Sequence, residues 1–172
     1  MDLRQWTVAS GLIERDGELL LVRNVRRGGV EDWSTPGGVV DAEDASLLAA
    51  LTREVAEETG LVVSEWVGPV YEVVAEAPDL GWRLRCEVHL AVAYAGDITI
   101  ADPDGIVVEA SYCIPADAHD RLATCPQWVR EPLAEWLLDR WELAPEVPHR
   151  RFEYDVFGTS RTDLRVERRT QR

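Results

Sequence analysis

The 172-residue sequence contains no lysine, so all 18 of its basic residues are arginine. A Walker-type phosphate loop, a Schiff-base enzyme and a lysine general base each require a primary amine. The absence of lysine therefore excludes these three classes. Cysteine is also scarce: Cys86, Cys113 and Cys125 form no C-x-x-C pair. Because a structural zinc ion needs four ligands, we interpret the three thiols as small buried hydrophobic side chains.

Long apolar segments are absent as well. No apolar run approaches the ~20 residues that span a membrane, and the N-terminus lacks a basic segment followed by an apolar one. We therefore expect a cytoplasmic protein without a membrane partner. A composition of 46% hydrophobic and 29% charged residues is typical of a soluble globular protein, and the length suits one domain with its own core.

Positive charge is in the minority, since the formal net charge is −14. Duplex DNA gains its affinity from neutralisation of phosphates by Lys and Arg, so nucleic acid is not an expected partner. The charge balance is reversed from Arg150 to the last residue of the sequence, where there are seven arginines and four acidic residues. We expect residues 161–172 to form a solvated, frayed tail.

The hydrophobic pattern predicts a mixture of strands and helices. Strands are expected over residues 6–13, 18–23, 67–75, 83–94 and 106–113, with a short one near 98–100. The turn signal Asp16-Gly17 predicts that the first two strands form a hairpin. Helices are expected over residues 45–59, 116–122 and 128–141.

Single residues refine these helix predictions. Gly60 supplies a stop signal for the first helix, whereas Pro132 either begins or kinks the last one. Strands flanked by amphipathic helices predict an α/β fold, an α/β/α sandwich with a mixed β-sheet between helices. We assign residues 1–145 to one domain and 146–172 to a C-terminal extension. Alternating apolar residues at 149–158 predict one more strand, which could pair with a second subunit in a homodimer.

Three glutamates, Glu54, Glu57 and Glu58, lie on one side of the helix predicted over residues 45–59. At about 100° per residue they fall within an arc of about 100°. Three like charges repel one another, so the cluster is costly unless a cation lies over it. Oxygen ligands favour Mg²⁺ or Mn²⁺ over zinc. The alternative is a solvated acidic face without a ligand.

The residues around these glutamates resemble the signature of the Nudix hydrolases (MutT-like), usually written G-x5-E-x7-R-E-U-x-E-E-x-G-U, where U is bulky and aliphatic. Residues 53–61 match its second half at every specified position. Upstream, the segment Trp33-Ser34-Thr35-Pro36-Gly37-Gly38 resembles the W-x-x-P-G-G lead-in common in the family. The resemblance covers roughly residues 5 to 140 and excludes the arginine-rich end.

The first half of the signature departs from the pattern. Glu43 or Asp44 stands where the first glutamate is expected, and the turn carries one extra residue by either count. We expect a reshaped turn with an intact metal patch. The other interpretation is that these acids favour a helix N-terminus through the helix dipole.

The resemblance implies Mg²⁺-dependent hydrolysis of a nucleoside diphosphate linked to another moiety, with Mn²⁺ as a possible substitute. It assigns metal binding to Glu54, Glu57 and Glu58, and catalysis to Glu54, Glu57 and Arg53. Arg53 would orient the glutamates by pairing with them. The alternative function is a nucleotide-binding or regulatory module that keeps the fold but has little or no turnover.

Further positions are assigned more loosely. The resemblance implies substrate binding near Gly37, Gly38 and Arg23, and Glu109 is a possible additional acid. Arg23 and Glu109 have plainer interpretations, as a solvated loop charge and an ordinary strand-end carboxylate. The substrate stays open between a nucleoside triphosphate, an oxidised nucleotide and an ADP-ribose-like sugar nucleotide. Candidates for stacking a base are four of the seven tryptophans, Trp6, Trp33, Trp66 and Trp82.

Overall fold

A computed structural model of the chain describes residues 2–141, 143–144, 146–160 and 163–170. The strands within these ranges are β1 Arg4–Leu12, β2 Glu14–Arg15, β3 Glu18–Val25, β4 Glu31–Ser34, β5 Gly37–Val39, β6 Val62–Ala77, β7 Trp82–Ala95, β8 Val107–Cys113, β9 Arg150–Phe157 and β10 Arg165–Arg168. The helices are α1 Leu47–Thr59, α2 Pro115–Leu122 and α3 Gln127–Asp139, with a short 3₁₀ turn at Pro78–Leu80. Helix α3 continues through Pro132, so this proline does not begin the helix.

The strands form two sheets. The larger has the order β10-β9-β6-β7-β1-β5. Strands β1 and β7 run parallel, as do β6 and β9, and the other neighbours run antiparallel. In the smaller sheet β3 is paired with β2, β4 and β8, all antiparallel. The prediction of a mixed sheet is confirmed.

Helices cover both sides of the sheets. On β3, Leu20 packs in one core cluster with Leu51 and Val55 of α1, whereas Leu19 and Leu21 pack in another that contains α2 and α3 residues. Since successive side chains of a strand point to opposite faces, α1 lies on one side and α2 with α3 on the other. The predicted α/β/α sandwich is confirmed.

The hairpin predicted at Asp16-Gly17 is present, but its first strand is only the short β2, which pairs with β3. The chain crosses from one sheet to the other near Ile13, and β1 pairs with β7 and β5. The prediction of a short strand near 98–100 was wrong. Residues 98–100 form no strand. Their segment instead caps the end of α1, where the Thr99 amide donates to the Thr59 carbonyl at 2.8 Å. An unpaired helix end needs such partners.

The C-terminal extension contributes to the main sheet. Strand β9 was predicted, but its neighbours are β6 and β10 of the same chain. Within its own chain β9 is thus paired with β6 along residues 150–155 and with β10 along residues 154–157. The tail predicted over 161–172 was wrong for residues 165–168, which form β10; residues 161, 162, 171 and 172 lie outside the described residues. In the described part of the chain, no helix is both long and apolar enough to cross a bilayer.

Candidate active site on helix α1

Helix α1 begins and ends at clear sequence signals, which fix the register of its glutamates. The Ser46 side chain accepts a hydrogen bond from the Ala49 amide at 3.1 Å, and Gly60 ends the helix with a left-handed backbone. The helix therefore begins at Leu47, two residues later than predicted. Glu43 and Asp44 lie outside its first turn, so their interpretation as helix-dipole acids was wrong.

The two glycines of the lead-in lie directly against the glutamates. The Gly37 amide donates to Glu58 Oε2 at 2.8 Å. A Cβ on Gly38 would lie 2.6 Å from the carboxyl carbon of Glu54, and at Gly37 it would lie 2.2 Å from the Ala9 carbonyl oxygen. Any side chain at these positions would displace Glu54 or break the pairing of β5 with β1. The sequence prediction that both glycines border the site agrees with this geometry.

Arg53 connects the acidic residues. Its Nη1 donates to Glu54 Oε1 at 2.9 Å and to Glu57 Oε2 at 3.3 Å. Its Nε and Nη2 donate to the two oxygens of Asp44 at 3.1 and 3.0 Å, a bidentate pair. The guanidinium thus holds Glu54 and Glu57 on one side and the loop before α1 on the other.

The irregular first half of the signature left a choice between Glu43 and Asp44. The structure shows that Asp44 is the one that pairs with Arg53. The Asp44 side chain is only 10% exposed, and it also accepts a hydrogen bond from the Asp41 amide at 2.9 Å. The hydrogen bonds from Arg53 hold the pKa of Asp44 below its usual range. The extra residue thus reshapes the turn without releasing Arg53.

The three glutamates are partly buried. Burial, together with the charges of Glu54, Asp102 and Glu57, raises the pKa of Glu58 to about 8 against the lowering effect of the Gly37 amide. Burial also raises the pKa of Glu54, although Arg53 opposes it. Ionisation of Glu54 and Glu58 is therefore unfavourable, and a bound cation would reduce its free-energy cost.

Sequence reasoning missed a second acidic segment. Asp102 accepts hydrogen bonds from the Ile106 and Val107 amides, both at 2.8 Å, and the Ala101 amide donates to the Glu57 carbonyl at 2.9 Å. These bonds place the loop before β8 against α1, where the charges of Asp102 and Asp104 raise the pKa of Glu58 and Glu54. The pairing depends on contacts between distant segments, so no local motif could have indicated it.

The residues fit a divalent ion in their chemistry, although their side chains are not gathered around one. Among the described residues, no three His, Cys, Asp or Glu side chains form a ready-made metal cluster. The reason is visible in the pairing: Glu54 and Glu57 turn to Arg53, while Glu58 turns to Gly37. Three carboxylates on adjacent turns of one helix are an oxygen-only donor set, which suits Mg²⁺ or Mn²⁺.

Arg23 and Glu109 lie apart from these glutamates. They are register partners on β3 and β8, and Arg23 Nε donates to Glu109 Oε2 at 3.0 Å. Arg23 follows Leu19 and Leu21 in the alternation of β3, so the pair faces the α2 and α3 side of the smaller sheet. The structure thus brings Arg53, the two glycines and the three glutamates together, but not Arg23 or Glu109.

Comparison with known families identifies the class of this fold and site. A model of the NUDIX domain family matches residues 3–137, which is more than half of the chain. The chain therefore belongs to the NUDIX domain family, and the prediction of a Nudix hydrolase acting on diphosphate bonds is confirmed at that level. Nudix hydrolases generally use divalent metals such as Mg²⁺. Comparison with curated proteins gave no match.

Solved structures agree with the family. A MutT NUDIX hydrolase from Burkholderia pseudomallei is 25% identical with a TM-score of 0.60, over 78% of this chain and 97% of that one. A MutT protein from Bacillus halodurans is 18% identical with a TM-score of 0.62, over 94% and 97%. The NUDIX domain of Shewanella oneidensis NrtR, complexed with ADP ribose, is 20% identical with a TM-score of 0.62, over 81% and 89%.

Proposed function

We propose that this chain is a Mg²⁺-dependent hydrolase of a nucleoside diphosphate linked to another moiety. The observation that carries the proposal is the position of three glutamates on one helix: Glu54 and Glu57 accept hydrogen bonds from Arg53, and Glu58 accepts one from the Gly37 amide. Gly38 leaves room for the Glu54 carboxylate. These three glutamates would hold the metal. When bound, Mg²⁺ supplies neutralisation of the diphosphate oxygens and activation of the attacking water.

The chain's own residues have separate tasks in this proposal. Arg53 orients Glu54 and Glu57, and the Gly37 amide orients Glu58. A glutamate of this set accepts the proton of the attacking water. The set is partly buried, which strengthens its electrostatic interactions relative to those of fully solvated carboxylates.

Three substrate classes fit the proposal: nucleoside triphosphates, oxidised nucleotides and ADP-ribose-like sugar nucleotides. The ADP ribose bound to the Shewanella domain supports a nucleotide ligand. We keep Arg23 as a substrate-binding candidate, since its side chain is 31% exposed. Glu109 is a weaker candidate for the additional acid, because its carboxylate already accepts a hydrogen bond from Arg23.

A substrate panel tests the proposal. The purified chain is incubated with Mg²⁺ and members of the three classes, and the release of nucleoside monophosphate, diphosphate or phosphate is measured. We expect turnover of at least one class, a loss of roughly 10²- to 10⁴-fold in kcat for Glu57→Gln, and none for Glu65→Gln, which removes an exposed charge on β6. No turnover on any member, with nucleotide binding unchanged in Glu57→Gln, would favour the inactive binding module.

Three further predictions from the sequence stay proposals. We propose that residues 1–145 carry the activity, that the protein acts in the cytoplasm, and that it forms a homodimer. Since most of β9 is paired within its own chain, this strand offers a second subunit little edge. Light scattering at micromolar concentration tests this, and a monomer would remove the dimer proposal.

A further inference from the structure

The C-terminal extension and helix α3 border a cleft of about 860 Å³. Among the described residues that line it, four are arginines and one is acidic: Arg150, Arg151, Arg168, Arg169 and Glu135. We call it the arginine cleft and define it by these five residues. The chain as a whole has 32 acidic residues against 18 basic ones, so this excess of positive side chains is a local feature.

The arginine cleft is remote from the glutamates of α1. It lies at β9 and β10, at one end of the strand order β10-β9-β6-β7-β1-β5. The Gly37 amide, which binds Glu58, belongs to β5 at the other end. Four strand spacings of about 4.8 Å separate β9 from β5, a distance of about 19 Å. The cleft is therefore separate from the candidate active site.

Two of the four arginines pair with acids of the sheet. Arg151 donates to Glu72, and Arg169 donates to Asp155. Phe152, next to Arg151 on β9, packs in the core cluster that contains α2 and α3 residues. Since successive side chains point to opposite faces, the Arg151 pair lies on the face away from these helices. These two arginines hold the extension on the sheet.

The other two arginines lie over aromatic rings on the α3 side. Arg150 alternates with Phe152 on β9, and Arg168 is the register partner of Tyr154. The guanidinium carbon of Arg150 lies 4.1 Å from the centre of the Trp141 ring, and that of Arg168 lies 4.7 Å from the centre of the Phe152 ring. The two rings stack at 5.9 Å. A guanidinium that lies over a ring keeps its N–H donors, which point outward in its plane.

Arg150 and Arg168 differ from the first two in how little holds their donors. Within the described part of the chain, the carboxylate nearest to Arg150 is that of Asp139 at 3.8 Å, too far for a hydrogen bond, and both side chains are exposed. Arg168 contacts Glu135 of α3, which is only partly buried. An anion in the cleft would bind Arg150 directly and would compete with Glu135 for Arg168.

The chemistry of the cleft suits a chain of phosphates. Guanidinium groups bind phosphate oxygens through paired N–H donors. Because Arg150 and Arg168 lie over different rings, an anion that contacts both must carry negative oxygens at more than one point. A di- or triphosphate does so, whereas a single carboxylate does not. The volume of the cleft is also that of a small-molecule site.

We propose that the arginine cleft is a second site of the chain, which binds the phosphate chain of an oligophosphate or a nucleotide through Arg150 and Arg168. It needs no divalent ion, since the guanidinium groups supply the positive charge. The proposal does not rest on the proposed function, because the cleft shares no residue with the glutamates of α1.

Titration calorimetry on metal-free protein tests this proposal. The full chain is treated with a chelator, desalted, and titrated with inorganic triphosphate and with ATP. We expect saturable binding that weakens roughly 10- to 100-fold in Arg150→Gln and in Arg168→Gln, because each loses hydrogen bonds between charged groups. Glu135→Gln should bind more tightly, since it leaves Arg168 without its acid. No saturable binding of either probe by the wild type would overturn the proposal.

The two probes distinguish the sources of the phosphate chain. Equal or tighter binding of inorganic triphosphate assigns the cleft to a free oligophosphate, and tighter binding of ATP assigns it to a nucleotide. Either result supports the cleft. Because no turnover is measured and no divalent ion is present, the outcome is independent of whether the chain is a hydrolase.

Matched variants make the test specific. Arg165→Gln removes an exposed arginine at the other end of β10 and should leave the affinity unchanged, as should Glu57→Gln on α1. Equal weakening in Arg165→Gln would indicate a general charge effect, and an equal change in Glu57→Gln would place the anion at α1; either overturns the proposal. If circular dichroism shows that Arg168→Gln does not fold, Arg150→Gln decides.

Discussion

Asp44 holds Arg53 with a side chain one methylene shorter than the glutamate of the Nudix signature. It does so through two hydrogen bonds of 3.0 and 3.1 Å from a nearly buried position. The site keeps an arginine that is fixed on both sides and that positions Glu54 and Glu57.

Replacing Asp44 by Asn tests this positioning. We expect kcat to fall roughly 10- to 100-fold, as is usual when a residue that orients metal ligands is changed, with KM altered less. Asp41→Asn is the matched control, because Asp41 lies 3.7 Å from Arg53 and is 62% exposed; its activity should stay near wild type. Equal losses in both variants would contradict a specific role for Asp44.

At the residue scale, the sequence predicted what helical spacing determines. Arg53 and the three glutamates share one helix face because of their positions along the chain. The sequence could not choose between Glu43 and Asp44, since a loop has no fixed period. It also missed Asp102 and Asp104, whose approach to α1 depends on the Ala101 amide finding the Glu57 carbonyl.

At the scale of elements, the stability of helix α1 depends on the residues that cap its ends. Ser46 satisfies one of the free amides of its first turn. We expect Ser46→Ala to lower the free energy of unfolding by about 1 kcal/mol, and Ser46→Gly by only a few tenths, since glycine is tolerated at an N-cap. Urea unfolding followed by circular dichroism measures both. If the glycine variant were as unstable as the alanine variant, the serine side chain would not be acting as a cap.

Helices and strands could be predicted where a local sequence pattern determines them. They could not be predicted where contacts between distant segments determine the structure. The helix ending at Gly60 and the long strands β6 and β7 follow from periodicity and stop signals. The β-branched residues near 98–100 suggested a strand. Instead, the Thr99 amide donates a hydrogen bond to the Thr59 carbonyl at the end of α1, so this amide is not available for pairing with another strand. The hairpin forms at the predicted turn but does not include β1, because β1 pairs in parallel with β7, which lies far along the chain.

At the scale of the whole molecule, the C-terminal extension is fastened to the main sheet by ion pairs. Arg169 donates to Asp155 and Glu76 at 2.5 and 2.7 Å, and Arg151 bonds the nearly buried Glu72 at 2.5 Å. The arginine excess of this segment, which suggested a solvated tail, is therefore used against acids of the sheet. Composition alone could not predict these partners.

Acid should weaken this network. Hydrogen bonds from Arg169 lower the pKa of Asp155, and those from Arg151 chiefly lower that of Glu153. Because the folded pKa values are depressed, the stabilisation is fully present above the unfolded values, about 3.9 and 4.3. It is lost as pH falls from these values through the lower folded ones. Each exposed pair contributes no more than about 1 kcal/mol.

Arg169→Gln measures this contribution. We expect its Tm to lie below that of the wild type at pH 7, and the difference to shrink as pH is lowered from about 6 to 3. Arg165→Gln is the control on the neighbouring strand β10, since the pair of Arg165 with Glu167 is long, at 3.5 Å, and exposed. A difference in Tm that stayed constant over this pH range would show that the carboxylates do not account for it.

The most direct test is whether the three glutamates of α1 bind a divalent ion. Manganese titration followed by electron paramagnetic resonance, with magnesium as competitor, should show saturable uptake by the wild type and by Glu65→Gln. Uptake should be lost in the triple variant Glu54→Gln/Glu57→Gln/Glu58→Gln, provided circular dichroism shows that it folds. Absence of uptake by the wild type, or equal uptake by the folded triple variant, would contradict the account.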